Sequence, residues 1–509
     1  MPTGVLAVAV CACAIGATTA PAEAWSLAWI DAWSNRDAAW FAAHAVDLEK
    51  ESSHLALGGM INDWVVAACS LRADSAVDVS VKLDGDTPFL SASDLKVVGE
   101  AAGPPREGQR TWWLDPLFAN PSSLGDLSSY IHNWAAIRDF PTVHLDPERP
   151  VVLWLTIRTH GLEAGETSGK ILAVDGGQEL HSLTLSLRVH PVELPVENPI
   201  IGNAWIPCGG SKEIAQTVKD YGFFVAGYGD WEMEHALGYR FHRFVLPGRG
   251  RGIGGGTPET VTNEEILAAL KPIRDTVDRL ELGPDAWGLE IYDEPVDQSS
   301  HEVARWMARI RQAWPEVRFW ANPGWGGTAQ TDMTVLGTVV VLAPYVDLWC
   351  PYFEGMIRGG TLDAMKATGK PVWYYWITQV WDRPPAGGRA TPWIAWKYDL
   401  DGWGFYALLN TQGDVDPWQD NVYQHMYPGN TVSLWMEGLQ QGVHDYKRLH
   451  ALAGRGMAPD KLQPLASTIL FPGHDAPWSD IPPEVYAGVR QQLDALLLAT
   501  GKRGIPDAP

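Results

Sequence analysis

Short runs of apolar residues separated by polar turns dominate the first third of the chain. They lie at 76–83, 151–159, 169–174 and 181–190. In the last run, "HSLTLSLRVH", apolar and polar residues alternate with a period of two, which is typical of a strand with one face in solvent. We therefore predict a β-sandwich domain over residues 25–195, ending in the proline-rich stretch "PVELPVENP" at 191–199.

The pattern changes after this stretch, because strand-like apolar runs now alternate with amphipathic helical segments. Eight such runs lie at 200–207, 221–229, 239–248, 286–295, 317–324, 345–355, 371–379 and 402–410. Helical periodicity is clearest at 262–283 and 300–314. Near-continuous apolar strands alternating with helices indicate parallel strands buried on both faces. We predict an α/β fold with a (β/α)8 TIM barrel over 196–455, followed by a C-terminal helical extension over 456–509.

The first 24 residues have the pattern of a secretory signal. An apolar run ends in Ala22-Glu23-Ala24, a small-residue cleavage pattern, although no Lys or Arg precedes the run. We predict that residues 1–24 are a signal peptide and that the protein is secreted or periplasmic. No other run reaches the ~20 apolar residues that a membrane-spanning helix needs, so we expect no membrane span.

Composition narrows the class of ligand. The formal net charge of −23 argues against nucleic acid as a partner, because phosphates require a basic surface. The 26 tryptophans favour a carbohydrate ligand, because the apolar faces of sugars stack on aromatic rings. This indication is weak, because most tryptophans pack in protein cores. After removal of the signal, Cys69, Cys208 and Cys350 are too scattered for a disulfide framework or zinc site, and we predict buried thiols. Nothing in the sequence calls for a metal or a cofactor.

The active site of a (β/α)8 barrel forms at the C-terminal ends of its strands. There the sequence places aromatic, amide and carboxylate side chains and almost no cations, a lining that suits a neutral polyhydroxylated ligand. The candidate substrate-binding residues are Asn203, Trp205, Tyr228, His242, Tyr292, Asn322, Tyr352, Tyr375, Trp376 and Tyr406.

Two adjacent acids, Asp293 and Glu294, are the candidate catalytic residues. They end the fourth run, in "GLEIYDEPVDQ", and Pro295 interrupts the strand directly behind them. Glycoside cleavage needs a proton for the leaving oxygen and stabilisation of an oxocarbenium-like transition state. We predict that its neighbour and burial raise the pKa of Glu294, which then acts as the general acid.

Adjacency limits the role of Asp293. The two carboxylates of ordinary glycosidases stand ~5–9 Å apart across the sugar, whereas consecutive residues reach the same side of a ligand. A second acid in this position fits best if the nucleophile is the 2-acetamido oxygen of the substrate. Asp293 would then orient the acetamido group and stabilise the oxazolinium ion formed from it.

At these residues the sequence resembles glycoside hydrolase family 123. The resemblance rests on "TWWLDPLF" (111–118), "LWLTIRTHGLEAGETSGKILAV" (153–174), "YDEP" (292–295), "VDLWCPY" (346–352), "VWYYW" (372–376), "GWGFYALLN" (402–410) and "YPGNTVSLWMEGLQQGVHDYKRL" (427–449). It covers about 110 to 450 and implies retaining, substrate-assisted β-N-acetylgalactosaminidase activity, with Asp293 orienting the acetamido group and Glu294 as acid/base. The expected substrate is a glycan, glycolipid or glycoprotein. Trp435 departs from the family's "S-x-R-x-E" segment, where an arginine is expected.

Two alternatives stay open at this stage. A conventional retaining glycosidase acting on a sugar without an acetamido group would take its nucleophile from another strand, with Glu354 or Asp414 as candidates. A non-catalytic carbohydrate-binding protein would use the aromatic lining without the acid pair.

Other polar residues have simpler interpretations. We expect Glu437 and Asp445 to be ion-pair or capping partners, and His235 and His242 to pack or to form hydrogen bonds more readily than to bind a ligand. Arg249 and Arg251 lie in a glycine-rich loop that lacks the G-K-[ST] ending of a phosphate-binding loop. Contact with the leaving group is a further hypothesis for Trp381, Arg389 and Trp418.

Overall fold

The computed structural model describes most of the chain beyond the first 24 residues. The described ranges are 25–33, 38–50, 52–102, 112–147, 149–205, 211–227, 230–246, 253–324, 332–377, 384–408, 425–469 and 481–500. The predicted signal peptide at 1–24 lies outside them.

Residues 25–193 contain ten strands and three α-helices in their described ranges. The strands are β1 (Trp25–Ile30), β2 (His54–Ile61), β3 (Trp64–Ala73), β4 (Val77–Gly85), β5 (Ser93–Ala102), β6 (Trp112–Phe118), β7 (Thr142–Leu145), β8 (Val151–Arg158), β9 (Gly165–Asp175) and β10 (Gln178–Glu193). The helices are α1 (Ala38–Leu48), α2 (Thr87–Ala92) and α3 (Trp134–Ile137).

Strands β11 to β18 alternate with helices α4 to α11. The strands are β11 (Ile201–Trp205), β12 (Val225–Ala226), β13 (Phe241–Val245), β14 (Trp287–Glu290), β15 (Trp320–Ala321), β16 (Leu348–Trp349), β17 (Tyr375–Ile377) and β18 (Gly402–Tyr406). The helices are α4 (Lys212–Asp220), α5 (Trp231–Ala236), α6 (Asn263–Arg279), α7 (Asp297–Ala313), α8 (Asp332–Leu342), α9 (Phe353–Met356), α10 (Thr361–Lys366) and α11 (Pro384–Tyr398). The chain continues with β19 (Met426–Tyr427), β20 (Thr431–Ser433), α12 (Leu434–Gly454), α13 (Pro459–Thr468) and α14 (Pro483–Ala499).

Two mainly antiparallel sheets enclose one apolar core. Their strand orders are β1-β3-β8-β5-β6-β20-β19 and β2-β10-β9-β4-β7, and only the β10–β2 pair is parallel. Alternate residues of β10 point into the core, among them Leu183, Leu185 and Leu187, as the period of two predicts. The late hairpin β19–β20 extends the first sheet by pairing β20 with β6, so residues inside the predicted barrel segment complete a sheet of the first domain.

The eight strands from β11 to β18 pair in parallel. In the described part of the chain their ladders form three separate sheets, β11-β18-β17, β12-β13-β14 and β15-β16, rather than one closed sheet. Isolated parallel bridges lie between these sheets, joining 202 to 223, 289 to 319 and 349 to 372. The protein is therefore a mixed α/β structure, as predicted.

Period-two alternation gives these strands two apolar faces. One cluster, which we call the inner cluster, is formed by residues of the strands or within two residues of them. Its members are Trp205, Val225, Phe241, Trp320, Leu348, Cys350, Trp373, Tyr375 and Ala407. A second cluster, which we call the outer cluster, joins the strands to the helices around them. In it, strand residues such as Leu289 and Trp349 pack with helix residues such as Ile266, Val303 and Ile394. Neighbouring residues of one strand thus belong to different clusters.

Helix α12 is almost entirely buried, and its two acidic side chains have partners. Glu437 accepts hydrogen bonds from Trp64 Nε1 at 3.0 Å and the Tyr221 hydroxyl at 2.6 Å. Asp445 forms ion pairs with Arg389 at 2.8 Å and Arg490 at 2.6 Å. The structural roles predicted for Glu437 and Asp445 are confirmed.

The position of Trp435 explains the missing arginine. Its indole is fully buried and stacks on the His425 ring with centroids 3.8 Å apart, while the Phe405 ring lies edge-on at 4.5 Å. An apolar aromatic therefore fills this place behind β18.

Two of the three cysteines beyond the predicted signal have the predicted environment. Cys69 and Cys350 are buried free thiols, whose pKa burial raises. Cys208 lies outside the described residues. Among the described helices, none is both long enough and apolar enough to cross a bilayer.

Candidate active site

The chain reverses direction directly after β14. Glu294 has a positive φ of 51°, in the left-handed region that non-glycine residues seldom adopt. Asp293 is exposed and Glu294 is half-buried, and the two side chains reach different neighbours. This turn brings both acids to the C-terminal edge of the parallel strands.

Asn322 holds the first acid in place. It follows β15, the next strand, and its Nδ2 donates a hydrogen bond of 2.8 Å to Asp293 Oδ1. Its Oδ1 accepts a bond of 3.4 Å from the Glu294 backbone N–H. One buried amide thus fixes both the Asp293 carboxylate and the backbone that carries Glu294.

Tyr375 contacts the second acid from another strand. This residue begins β17, and its hydroxyl donates a hydrogen bond to Glu294 Oε1. Burial, together with the negative charges of Glu294 and Asp293, raises the pKa of Tyr375 well above its usual value. The hydroxyl therefore keeps its proton and remains a donor to Glu294.

Gly324 makes room for the Glu294 side chain. A Cβ atom added at this glycine would lie 2.0 Å from Glu294 Cβ and 2.4 Å from its Cγ. The Glu294 side chain consequently lies directly against the backbone of Gly324, which limits the orientations that this side chain can take.

Aromatic rings form the floor beside the acids. Trp205, the last residue of β11, has its ring 4.7 Å from Tyr375 and 5.5 Å from Trp320. The Tyr352 ring meets Tyr375 edge-on at 5.4 Å. These residues belong to the inner cluster or pack against it.

A buried ion pair lies beneath this floor. Arg243 Nε is 3.8 Å from Glu290 Oε2, and both side chains are almost inaccessible to solvent. The Arg243 guanidinium lies over the rings of Trp205 at 4.7 Å and Trp320 at 5.1 Å. This pair was not predicted from the sequence, although a charged residue in each of the apolar strands "FHRFV" and "WGLE" is a visible signal.

The structure thus brings together six of the predicted site residues: Asp293, Glu294, Asn322, Tyr375, Trp205 and Tyr352. Tyr406, the last residue of β18, is half-buried beside the inner cluster. Tyr228 lies outside the described residues.

Four predicted residues lie elsewhere. Tyr292 is half-buried against the outer cluster, and Trp376 belongs to that cluster because it alternates with Tyr375 along β17. Asn203 is fully buried on β11, two residues before Trp205. These three side chains do not join the group around Glu294.

His242 lies near the opposite end of the strands. It is the second residue of β13 and pairs with Trp287, the first residue of β14. Its ring lies 5.3 Å from that of His235, and burial lowers the pKa of His242 to about 4. We expected this histidine at the C-terminal edge, but β13 continues for three residues beyond it, to Val245. Its packing with His235 agrees with the simpler interpretation.

Several other candidates have clear placements. Asp230 caps α5 by accepting from Met233 N at 3.0 Å, and Glu354 lies on α9 with Arg358 Nη2 3.9 Å away. Arg389 is buried on α11 in its ion pair with Asp445, so the hypothesis that it lies in a loop against the leaving group is wrong. Asp414, Trp381, Trp418, Arg249 and Arg251 lie outside the described residues. In the described ranges, no group of three or more His, Cys, Asp or Glu residues could hold a metal ion.

Comparison with known proteins finds similarity at the level of structure. Neither a family model nor a curated protein sequence matches the chain. A family 123 glycoside hydrolase from Clostridium perfringens, studied for glycolipid glycan hydrolysis, is similar over 94% of this chain and 98% of its own, with a TM-score of 0.63 and 9% identity. A family 39 glycoside hydrolase from Bacteroides cellulosilyticus matches 77% of this chain and 82% of its own, with a TM-score of 0.38 and 12% identity. The structural resemblance to a family 123 enzyme is thus confirmed, and at 9% identity it establishes a common fold.

Proposed function

We propose that the protein is a secreted, retaining exo-glycosidase that removes β-linked N-acetylhexosamine, with N-acetylgalactosamine favoured. In this proposal β11 to β18 form the (β/α)8 barrel of the catalytic domain (196–455), the antiparallel sheets form a β-sandwich domain (25–195), and 456–509 is a helical extension. The observation that carries the proposal is the adjacent pair Asp293 and Glu294 at one edge of the parallel strands, each held by a different partner.

The geometry supports a different role for each acid. Glu294 is half-buried beside a tyrosine donor and would protonate the leaving oxygen. Asp293 is exposed, and its Oδ1 is fixed by Asn322, so it can accept a hydrogen bond from the acetamido N–H of a bound sugar. The carbonyl oxygen of that group then attacks the anomeric carbon as the leaving bond breaks.

The second half of the reaction regenerates the enzyme. The attack produces an oxazolinium ion, whose positive charge the Asp293 carboxylate stabilises. Glu294, now deprotonated, takes a proton from water, and the resulting hydroxide equivalent attacks the same carbon from the face that the leaving group occupied. Two inversions give net retention of configuration.

Aromatic residues near the acids suit the sugar. The rings of Trp205 and Tyr352 both contact the ring of Tyr375. The electron-rich faces of aromatic rings stack on the apolar C–H faces of a pyranose and repel an anion. We propose Trp205, Tyr352, Tyr375, Tyr406 and Asn322 as the substrate-binding residues.

Removal of each acid tests this assignment. Glu294→Gln should lower kcat/KM by about 10² to 10⁴ on an alkyl glycoside, whose leaving group needs a proton, and much less on a p-nitrophenyl glycoside. Asp293→Asn should lower both rates alike, because orientation of the acetamido group precedes either departure.

Glu354→Gln is the matched control, since this acid lies on α9 beside Arg358. It should keep wild-type rates. A severe loss in this variant, with a covalent glycosyl-enzyme trapped on Glu354, would favour the conventional retaining mechanism. Wild-type rates in both acid-pair variants would remove Asp293 and Glu294 from catalysis.

A further inference from the structure

A cavity lies at the opposite end of the parallel strands from Glu294. It has a volume of about 480 Å³, within the range of small-molecule sites. Its wall contains Trp64 and Arg158 from the ends of β3 and β8, Phe224 and Arg240 from just before β12 and β13, and Lys447 from α12. Because β12 and β13 begin where this wall is formed, the cavity is separated from the acids that follow β14.

Four cations line this cavity in a chain whose net charge is −23: Arg158, Lys219, Arg240 and Lys447. Three of them donate to backbone carbonyls, Lys219 to Leu237, Arg240 to Asn198 at 2.8 Å and Lys447 to Val196 at 2.9 Å. Neutral carbonyl oxygens satisfy hydrogen bonds but leave the positive charges in place.

The carboxylates of the lining do not cancel this charge. Asp63 is already engaged by Arg448, which is not part of the lining. Glu197 attracts Arg240 and Lys447 electrostatically, but it is exposed, as Asp220 is, so solvent screens both carboxylates. Among the described residues, no ion pair within 4.0 Å joins any of the four cations to a carboxylate.

Two buried side-chain atoms of the lining have neither a hydrogen bond nor an ion-pair contact. Arg240 Nε is a donor without an acceptor, and Gln440 Oε1 is an acceptor without a donor. His444 Nδ1 also lacks a hydrogen bond, but it lies 3.2 Å from Asp63 Oδ1. Leaving such atoms unsatisfied is unfavourable, because each has lost its hydrogen bonds to water on burial. An inorganic anion can accept from Arg240, whereas Gln440 needs a hydroxyl or amine donor.

We propose that this cavity binds a sugar-sized organic anion, a saccharide that carries a sulfate, phosphate or carboxylate group. The anionic group would accept charge-assisted hydrogen bonds from the arginines and lysines. A sugar hydroxyl would donate to Gln440 Oε1. This site goes beyond the proposed hydrolysis, because it lies away from the acid pair and needs neither Asp293 nor Glu294.

Calorimetric titration of the full chain tests the proposal. The probes are glucuronate, glucose 6-sulfate and glucose 6-phosphate, with glucose and inorganic sulfate as controls. At least one sugar anion should bind with one site per chain, more tightly than either control, and more weakly as ionic strength rises.

Charge-removing variants locate the binding. Lys219→Met and Arg158→Gln should each weaken affinity about tenfold, the loss of one charge-assisted contact. Lys271→Met removes the same charge from an exposed pair with Asp275 on α6 and should bind like the wild type. Arg158 is exposed, so its replacement tests the site even if Lys219→Met folds poorly.

The outcomes separate this proposal from the proposed hydrolysis. Absence of binding by all three sugar anions, inorganic sulfate binding as tightly as they do, or an equal effect of Lys219→Met and Lys271→Met would each overturn the anion site. Glu294→Gln should bind the anion normally, so a failure of hydrolysis with intact anion binding would count against the enzyme assignment alone.

Discussion

At the scale of single residues, the structure gives two neighbouring acids different surroundings. Asp293 is exposed and accepts a hydrogen bond from Asn322, whereas Glu294 is half-buried and accepts one from the Tyr375 hydroxyl. The type of residue and its position after an apolar run were enough to select these acids from the sequence. The partners come from strands that follow 28 or more residues later, so a local pattern could not assign them.

The hydrogen bond from Tyr375 should control the pH at which Glu294 loses its proton. A donated hydrogen bond favours the charged carboxylate, so Tyr375→Phe should favour the protonated acid. If Glu294 is the general acid, the alkaline limb of the kcat/KM profile should move upward by about one pH unit.

Tyr374→Phe is the control for this shift. Its hydroxyl is buried and donates to Thr391 O at 2.8 Å, on the other face of the same segment. The alkaline limb should stay in place in this variant. An unchanged or downward-shifted limb in Tyr375→Phe would contradict the role assigned to the tyrosine.

At the scale of elements, the apolar runs predicted the number and order of the parallel strands but not their lengths. Each of the eight apolar runs from 200 to 410 contains one parallel strand, and the helices predicted at 262–283 and 300–314 are present as α6 and α7. The strands are shorter than the runs, because apolar residues continue into the turns that follow. His242 was misplaced for a different reason, because it lies at the start of β13 and not at its end. Arg243 and Glu290 were missed because charged residues interrupt the apolar pattern of their strands.

The buried charges of α12 make a testable contribution to stability. Arg448 pairs with Asp63 from the turn before β3, and both side chains are inaccessible to solvent. Burial alone would raise the pKa of Asp63, but the charge of Arg448 holds it well below the usual value. Asp63→Asn should lower the free energy of unfolding in urea by about 3 kcal/mol at pH 7, because Arg448 loses its buried counter-ion.

The pH dependence of this difference has a definite sign. A carboxyl group with a lowered folded-state pKa stabilises the protein above its unfolded value of about 3.9 and loses that effect as the pH falls further. The gap between wild type and Asp63→Asn should therefore narrow below pH 4. Asp78→Asn, which alters an exposed pair with His144, should cost less than about 1 kcal/mol. If Asp63→Asn lowered the free energy of unfolding by less than about 1 kcal/mol as well, the buried pair with Arg448 would make no special contribution to stability.

At the scale of the whole molecule, the two halves of the chain are interleaved. The hairpin β19–β20 joins the first sheet, and α12, which follows it directly, packs its charged residues against β3 and the parallel strands. The sequence predicted the order of the two regions but not this return, because β19 and β20 have only two and three residues. The structural similarity of 0.63 in TM-score extends over 94% of the chain, so it includes both regions.

The central claim is that the nucleophile belongs to the substrate, and one comparison of rates tests it most directly. We predict that kcat/KM for p-nitrophenyl N-acetyl-β-galactosaminide exceeds that for p-nitrophenyl β-galactoside by at least about a thousandfold, because a nucleophile held within the substrate replaces a bimolecular attack. Equal rates on the two substrates would contradict substrate assistance.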